Sequence, residues 1–400
     1  MHCEQKLAEG LYWIGGDDKR LGLFEASHPV PHGMSYNNYL LLDEKVVLFD
    51  TIDRAVEERF FETVDYLLDG RKIDYIIVSH MEPDHSATLG AMAAMHPEAQ
   101  LVCTKVCKTL IGQFFDPELA ARCLVVGDGD SIETGTHTLA FATAPMVHWP
   151  EVMVTYDVED KILFSADAFG SFGGLDGRLF DDMYDFEDEL LDEVRRYYAN
   201  IVGKYGTQVN ELLDKADTLD IKMICPLHGY IIRKDFEKYL AAYTAWGTYT
   251  AEEQGVLVLY ASPYGNTKNG AEILANELAA KGVDKMKLID VSHTDPMYIL
   301  PEVFRFSNLV IATTTYNGDM FIKMEEALTE LRSMGVSNKK VSIIQSGSWA
   351  PTAGKKVQEM TDQLTGTEYV GDMVTIKGTV KEDSREALVA LADAIAESLK

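Results

Sequence analysis

The stretch Ile76-Ile77-Val78-Ser79-His80-Met81-Glu82-Pro83-Asp84-His85 constrains this chain more than any other. The apolar run from Tyr75 to Val78 predicts a buried strand. It stops at four side chains that can hold a metal: His80, Glu82, Asp84 and His85. Ser86 to Met95 then predicts a helix. Ligands at the carboxyl end of a strand, just ahead of a helix, lie where a rigid sheet can carry a reactive site. Polar groups this close to a buried strand need a partner, and a metal ion supplies one.

The same grammar recurs further on. Leu139 to Pro145 reads as a strand and leads to His148, Ile162 to Ser165 leads to Asp167, and Asp220 to Cys225 leads to His228. Seven such residues are too many for one four-coordinate zinc and suit two metals. A nitrogen and oxygen set without thiolate favours iron, manganese or zinc and does not choose among them. Asp167 is the natural bridge, because a carboxylate has two oxygens. His28 and His32, in the loop Ser27 to Gly33, are within reach of the metal pocket in sequence terms, but solvated loop histidines are the expectation. Tyr197 and Tyr198 are expected simply to pack.

Four hundred residues at 46% apolar composition predict more than one folded domain. The pattern breaks at Ala251 to Gly255, a short linker, so the expected domains are residues 1–250 and 255–400. Asn38 to Leu42 and Val46 to Phe49 flank Asp43-Glu44-Lys45 as a hairpin. Helices are expected over Arg54 to Leu68, Glu187 to Ile201, Val209 to Asp217 and Phe236 to Trp246. A net charge of −28 argues against indiscriminate nucleic-acid binding. No apolar run reaches the length of a membrane span. The start Met-His-Cys-Glu-Gln-Lys carries no apolar signal segment. Five scattered cysteines read as ordinary thiols rather than a disulfide framework or a rubredoxin module. A soluble, cytoplasmic protein is expected.

The second half changes character. Val256 to Tyr260 is a near-continuous apolar strand, followed by Ser262-Pro263-Tyr264-Gly265-Asn266-Thr267 and a helix over Asn269 to Lys281. Strand, polar loop and helix make a phosphate site from loop amides and a helix amino end. Further strands are expected over Met286 to Asp290, Asn308 to Thr313, Val341 to Gln345 and Met373 to Lys377. Helices are expected over Pro301 to Arg305, Met320 to Ser333, Thr352 to Gln363 and Ser384 to Leu399. That alternation predicts a doubly wound α/β domain.

With its HxExDH pattern, the chain resembles the flavodiiron proteins. The hydrolases that share their first fold carry HxHxDH there, whereas flavodiiron proteins have glutamate where this chain has Glu82. The resemblance implies an α/β multidomain chain, an αββα metallo-β-lactamase-like sandwich followed by a doubly wound flavodoxin-like domain. It implies two non-haem irons per chain, one held by His80, Glu82 and His148, the other by Asp84, His85 and His228, with Asp167 between them. It also implies FMN, its phosphate on Ser262, Tyr264, Gly265, Asn266 and Thr267. The flavin ring would lie between Thr314-Thr315-Tyr316-Asn317-Gly318 and Ser346-Gly347-Ser348-Trp349, after Thr313. The implied reactions are reduction of O2 to water and of NO to N2O. Electrons would come from a rubredoxin, a flavoprotein reductase or a reduced deazaflavin. The implied assembly is a head-to-tail homodimer, or a homotetramer made of two. Two rival readings are a dizinc hydrolase fused to a flavodoxin-like domain and an FMN electron carrier with a merely structural metal site.

Overall fold

Val46-Val47-Leu48-Phe49 and Tyr75-Ile76-Ile77 are apolar on both faces, and a strand of that composition is stable only when both faces are covered. In the computed structural model, which describes residues 2–400, they form adjacent parallel strands with Val47 opposite Tyr75 and Phe49 opposite Ile77. The chain divides into two compact units. One comprises residues up to Tyr198 together with Thr207–Ala241; the other comprises Ala199–Gly206 together with Ala242–Lys400.

The first unit is built on two sheets. One has seven strands in the order Gln5–Lys6, Leu11–Trp13, Tyr39–Leu42, Val46–Phe49, Tyr75–Ile77, Gln100–Cys103 and Cys123–Val125. Its first four strands pair antiparallel, including the expected hairpin, where Leu42 faces Val46. Its last three are parallel additions. The other sheet runs Ser131–Glu133, Thr138–Thr143, Met153–Asp157, Ile162–Phe164 and Met223–Cys225. Alternate residues Leu11, Trp13, Tyr39, Leu41, Val47, Phe49 and Ile77 share a core with Leu139, Phe141, Met153, Ile162 and Phe164. Phe49 and Phe164 stack at 3.8 Å between centroids. Leu40, Leu48 and Ile76 on the opposite face are equally buried, so helices cover it. The helix Glu57–Leu68 buries Phe60, Thr63, Val64 and Leu68, one stripe at helical spacing.

Two predicted helices, Ser86 to Met95 and Glu187 to Ile201, differ at their ends. Pro83–Ser86 forms a single turn, and Leu89–Met95 starts a second helix after it. Over residues 186–202 the chain is helical in three pieces, with wide turns at Phe186–Leu190 and Tyr198–Val202 flanking Leu191–Tyr197.

The second unit is a parallel sheet in the order Met286–Asp290, Glu253–Tyr260, Phe306–Tyr316 and Lys340–Ser346, with Glu368–Tyr369 and Val374–Ile376 both pairing with the last. Helices Asn266–Ala280, Pro296–Arg305, Ile322–Ser333 and Ala353–Thr361 connect the strands, and Glu382–Ser398 follows the last of them. Val256, Val258, Val310, Ala312 and Ile344 pack against Leu274, Leu278, Leu388 and Leu391. The strand order reverses beside Glu253–Tyr260, and such a switch point opens a crevice at the carboxyl ends of the strands.

Candidate functional site

Each of the four strand-end residues emerges from a strand whose side chains are locked in the core, so their starting points are fixed. After Tyr75–Ile77 the backbone turns over Asp50, whose Oδ1 accepts from Ser79 N at 2.7 Å and His80 N at 3.2 Å. Glu82 stands at the amino end of the single turn Pro83–Ser86, with proline in its first positions. His85 N and Ser86 N both donate to Glu82 O at 2.9 Å, which turns Asp84 and His85 back toward His80. His228 lies in the turn after Met223–Cys225. Asn37 Nδ2 holds that turn through Pro226 O and Gly229 O. Gly229 has φ +78°, and a Cβ there would meet Ser171 Oγ at 2.1 Å, so only glycine closes the turn.

All seven residues converge. Ligand-type atoms of His80, Glu82, His148 and Asp167 lie within 4.8 Å of one another, as do those of Asp84, His85 and His228. The two oxygens of Asp167 divide between the groups. Oδ2 is 3.3 Å from His80 Nε2 and 3.1 Å from His148 Nε2. Oδ1 is 3.3 Å from His85 Nε2 and 3.8 Å from His228 Nε2. Glu82 Oε2 lies 3.2 Å from His80 Nε2 and 3.0 Å from His148 Nε2. Asp84 Oδ2 lies 3.3 Å from His85 Nε2 and 3.2 Å from His228 Nε2.

Electrostatics and hydrogen bonding both fit a pair of cations. Burial opposes charge on His85, yet Asp84 and Asp167 override it and raise the imidazole to about 9. His148 is likewise raised to about 9, against burial, by Asp167 and Glu82. Burial also works against ionised Asp167, but His85 and His80 hold its carboxyl well below the usual range. The carboxylates thus stay ionised and draw positive charge onto the imidazoles, the charge that bound metals would replace. Both oxygens of Asp84, both of Asp167 and Nε2 of His85 are buried without a hydrogen-bond partner. Such orphaned atoms are costly unless something else binds them.

Several neighbours escaped the sequence reading. Glu151 Oε1 accepts from His80 Nδ1 at 2.8 Å and from Met81 N at 2.9 Å. His228 Nδ1 donates to Ser35 O at 2.7 Å. These bonds aim the Nε2 atoms inward. Asp50 follows the apolar run Val46–Phe49, the same grammar as the seven, and could have been found; burial raises its carboxyl to about 6 against the pull of His85. Glu151 gave no local signal, because its partner is 71 residues away.

The expectation that His28 is a solvated loop residue is corrected. His28 is buried, its Nε2 3.2 Å from Glu25 Oε2, and its ring packs 5.6 Å from that of Phe172. The cause is the tight turn Glu25-Ala26, both residues at positive φ, which folds His28–Pro29 back onto Leu23–Phe24. Glu25 reaches Glu82; burial raises its carboxyl, and Glu82 adds to the effect while His28 opposes it. His32 is exposed as expected. Tyr197 and Tyr198 are buried; Tyr197 packs with its ring centroid 5.7 Å from His228.

In the second unit, a cavity of about 260 Å³ opens at the strand ends. Ser262, Tyr264, Asn266, Thr267, Thr314, Thr315, Tyr316, Ser346, Gly347 and Ser348 line it, together with Pro263 and Gly378, which were not among the expected FMN contacts. Gly265, at φ +88°, precedes the helix Asn266–Ala280, whose amino end no side chain caps. Ser262 Oγ is buried without a partner, and Thr267 Oγ1 lies 2.7 Å from Ser346 Oγ. An uncapped helix start beside an orphaned hydroxyl fits a phosphate. Asn317, Gly318 and Trp349 are not among the lining residues; Trp349 is 83% exposed and Tyr264 91%.

Residues 34–229 match the ODP family beta lactamase and residues 258–390 match Flavodoxin. The chain is 32% identical over 346 residues to the anaerobic nitric oxide reductase flavorubredoxin of Vibrio vulnificus, covering 85% of this chain and 69% of that protein. The chain belongs to the flavodiiron proteins. The flavodiiron protein from Giardia intestinalis superimposes with a TM-score of 0.92 at 28% identity, covering 99% of this chain and 97% of that one. Rubredoxin oxygen:oxidoreductase from Desulfovibrio gigas has the same fold, with a TM-score of 0.93 at 24% identity over 99% of this chain and 98% of that one. This flavodiiron protein therefore combines a metallo-β-lactamase-like unit with a flavodoxin-like one. No helix among its described residues is long and apolar enough to cross a membrane.

Proposed function

We propose that this flavodiiron protein is an oxidoreductase that reduces O2 to water or NO to N2O. The observation that carries the reading is Asp167, whose two oxygens face two separate ligand groups, one of which contains Glu82. Two irons held by these seven residues would bind and reduce the gas, with FMN passing on electrons singly from a reduced donor. In this reading His80, Glu82 and His148 hold one metal and Asp84, His85 and His228 the other, with Asp167 bridging. Glu82 supplies a hard, anionic oxygen where an imidazole would be neutral, which stabilises a higher oxidation state. A hydrolase needs a fixed Lewis acid and gains nothing from that adjustment.

In the flavodoxin-like unit, Ser262, Asn266 and Thr267 with the following helix start would hold the FMN phosphate. Thr314–Tyr316 and Ser346–Ser348 would border the ring. The donor is a separate reduced protein or cofactor, such as rubredoxin, a flavoprotein reductase or a deazaflavin. The assembly is a head-to-tail homodimer, alone or doubled into a homotetramer, acting in the cytoplasm. Exposed Tyr264 and Tyr316, which line the cavity, support a covered surface there.

The test is metal and flavin content of anaerobically purified protein, followed by O2 and NO consumption after reduction. About two irons and one FMN per chain, with rapid gas consumption, are expected, and the ratio of the two rates assigns the preferred gas. Two zincs and no gas consumption after iron reconstitution would move the reading to the hydrolase. FMN with redox-silent metals would move it to the electron carrier.

A further inference from the structure

The hairpin made by Leu23–Phe24 and His28–Pro29 touches both ligand groups. Phe24 sets its ring edge-on to that of His228, 5.4 Å between centroids. The next residue, Glu25, reaches Glu82 in the other group. The side chain of Glu25 is 31% exposed and that of Glu82 13%, so the two carboxylates meet on the solvent side of the site.

A glutamate at this hairpin tip is locally unfavourable. Glu25 and Ala26 have φ of +50° and +54°, a region that glycine fills without strain. Neighbours hold the tip in place. Phe24 and His28 pair across the hairpin, both buried, and Ser27 N donates to Phe24 O at 3.1 Å. His28 Nε2 lies 3.2 Å from Glu25 Oε2, while His28 Nδ1 is buried without a partner. The polar edge of that ring is therefore committed to Glu25. Carboxylates that hold a metal are oriented from behind in this way.

Charge and coordination give two further arguments. Carboxylates brought side by side repel, and a cation beside both reverses the sign of that interaction. Among the described residues, the ion-pair partners of Glu25 and Glu82 are histidines: His28 for the first, His80 and His148 for the second. Each ligand group counts four residues when Asp167 is shared between them. Four protein donors leave open positions on a metal of the non-haem iron class. The carboxylate next to Glu82 stands beside such a position.

We propose that Glu25 is an eighth, displaceable ligand, which takes an open position on the metal of the His80, Glu82 and His148 group and yields it to a small incoming ligand. It comes from a hairpin tip, whereas His80, His148, Asp167 and His228 follow strand ends. Glu25 can therefore swing toward solvent without moving the other seven. The proposal rests on the paired-metal reading of the site and adds to it a residue that sets how readily a gas or anion reaches one of the two metals.

The test is azide binding to the oxidised iron- and FMN-loaded protein, followed by difference spectra without turnover, so that it stands apart from any measurement of gas reduction. An internal ligand lowers apparent affinity by the fraction of sites it leaves free, and Glu25→Ala and Glu25→Gln should bind azide about 10-fold more tightly than wild type. Their iron content should equal that of the wild type, because the seven ligands remain. Without azide, the Mössbauer signal of one iron should change in Glu25→Ala, and added acetate should restore it and weaken azide again. Removing a negative charge also favours azide, but that gain is screened by salt and leaves the iron signal as it was. Unchanged Mössbauer spectra, with azide affinities that converge at high salt, would reduce Glu25 to a charge at the pocket mouth and overturn the proposal.

Discussion

Glu151 makes none of the proposed metal bonds, yet it decides which nitrogen His80 presents. Its Oε1 accepts hydrogen bonds from His80 Nδ1 and from the amide of Met81, so Nε2 is left to face Asp167. Partners of this kind are worth about 10- to 100-fold in metal affinity. Glu151→Ala should therefore lose iron to a competing chelator at a concentration lower by that factor, while Glu151→Gln, which keeps an acceptor oxygen, should lose much less. Iron retention by Glu151→Ala equal to wild type would remove Glu151 from the account. The seven ligand-type residues were legible because each sits at or just beyond a strand end, and that periodicity can be read in one pass. Glu151 and His28 were not, because their roles come from tertiary contacts. His28 looked like any loop histidine until the left-handed pair Glu25-Ala26 folded it into the aromatic wall beside Phe172.

At the level of elements, the strands were read more reliably than the helices. Strands in both units are apolar runs with fixed partners, and alternation with helices marks the second sheet as parallel and doubly wound. The break between Pro83–Ser86 and Leu89–Met95 was hidden, because Ser86-Ala87-Thr88 has ordinary helix-compatible composition and the ligand geometry ends the turn. One strand start carries a pH-sensitive fixture that its sequence did not announce. Lys339, just before Lys340–Ser346, is buried and its Nζ donates to Phe306 O at 2.9 Å, tying the starts of two parallel strands. Burial lowers its amine from 10.5 to about 8, with Glu252 pulling the other way. Below about pH 8 both folded and unfolded chains carry the proton, and the cost of the buried charge is fully present. Between about 8 and 10.5 the unfolded chain holds a proton that the folded chain has released, so this residue makes stability rise with pH, by about 3 kcal/mol over the whole interval. Lys339→Met abolishes that contribution. Denaturant unfolding of both proteins from neutral pH to about 9.5 should show the wild type gaining on the variant as pH rises. A constant or shrinking difference would mean that the amine is hydrated in the folded state.

The two units carry separate chemistry, so the whole molecule can be tested by breaking one unit at a time. A variant with His148→Ala and Asp167→Ala lacks ligands from the group around Glu82 and should keep its flavin while losing gas reduction. A variant with Thr267→Tyr fills the cavity where Thr267 meets Ser346 and should keep its metals while losing flavin. Neither protein alone should turn over. In a head-to-tail dimer the flavin of one chain serves the metals of the other, so a mixed dimer retains one complete pair out of two. Random assembly of equal amounts makes half the dimers mixed, and activity should return to about one quarter of the wild-type value per chain. The mixture must be formed by co-expression or by unfolding and refolding together, and the separately prepared variants, combined without subunit exchange, serve as the control. Transfer confined within one chain predicts no recovery, because every chain then lacks one of its two centres. Recovery without subunit exchange would instead show that flavin-bearing chains act as diffusing donors, and the dimer would no longer be needed to explain turnover.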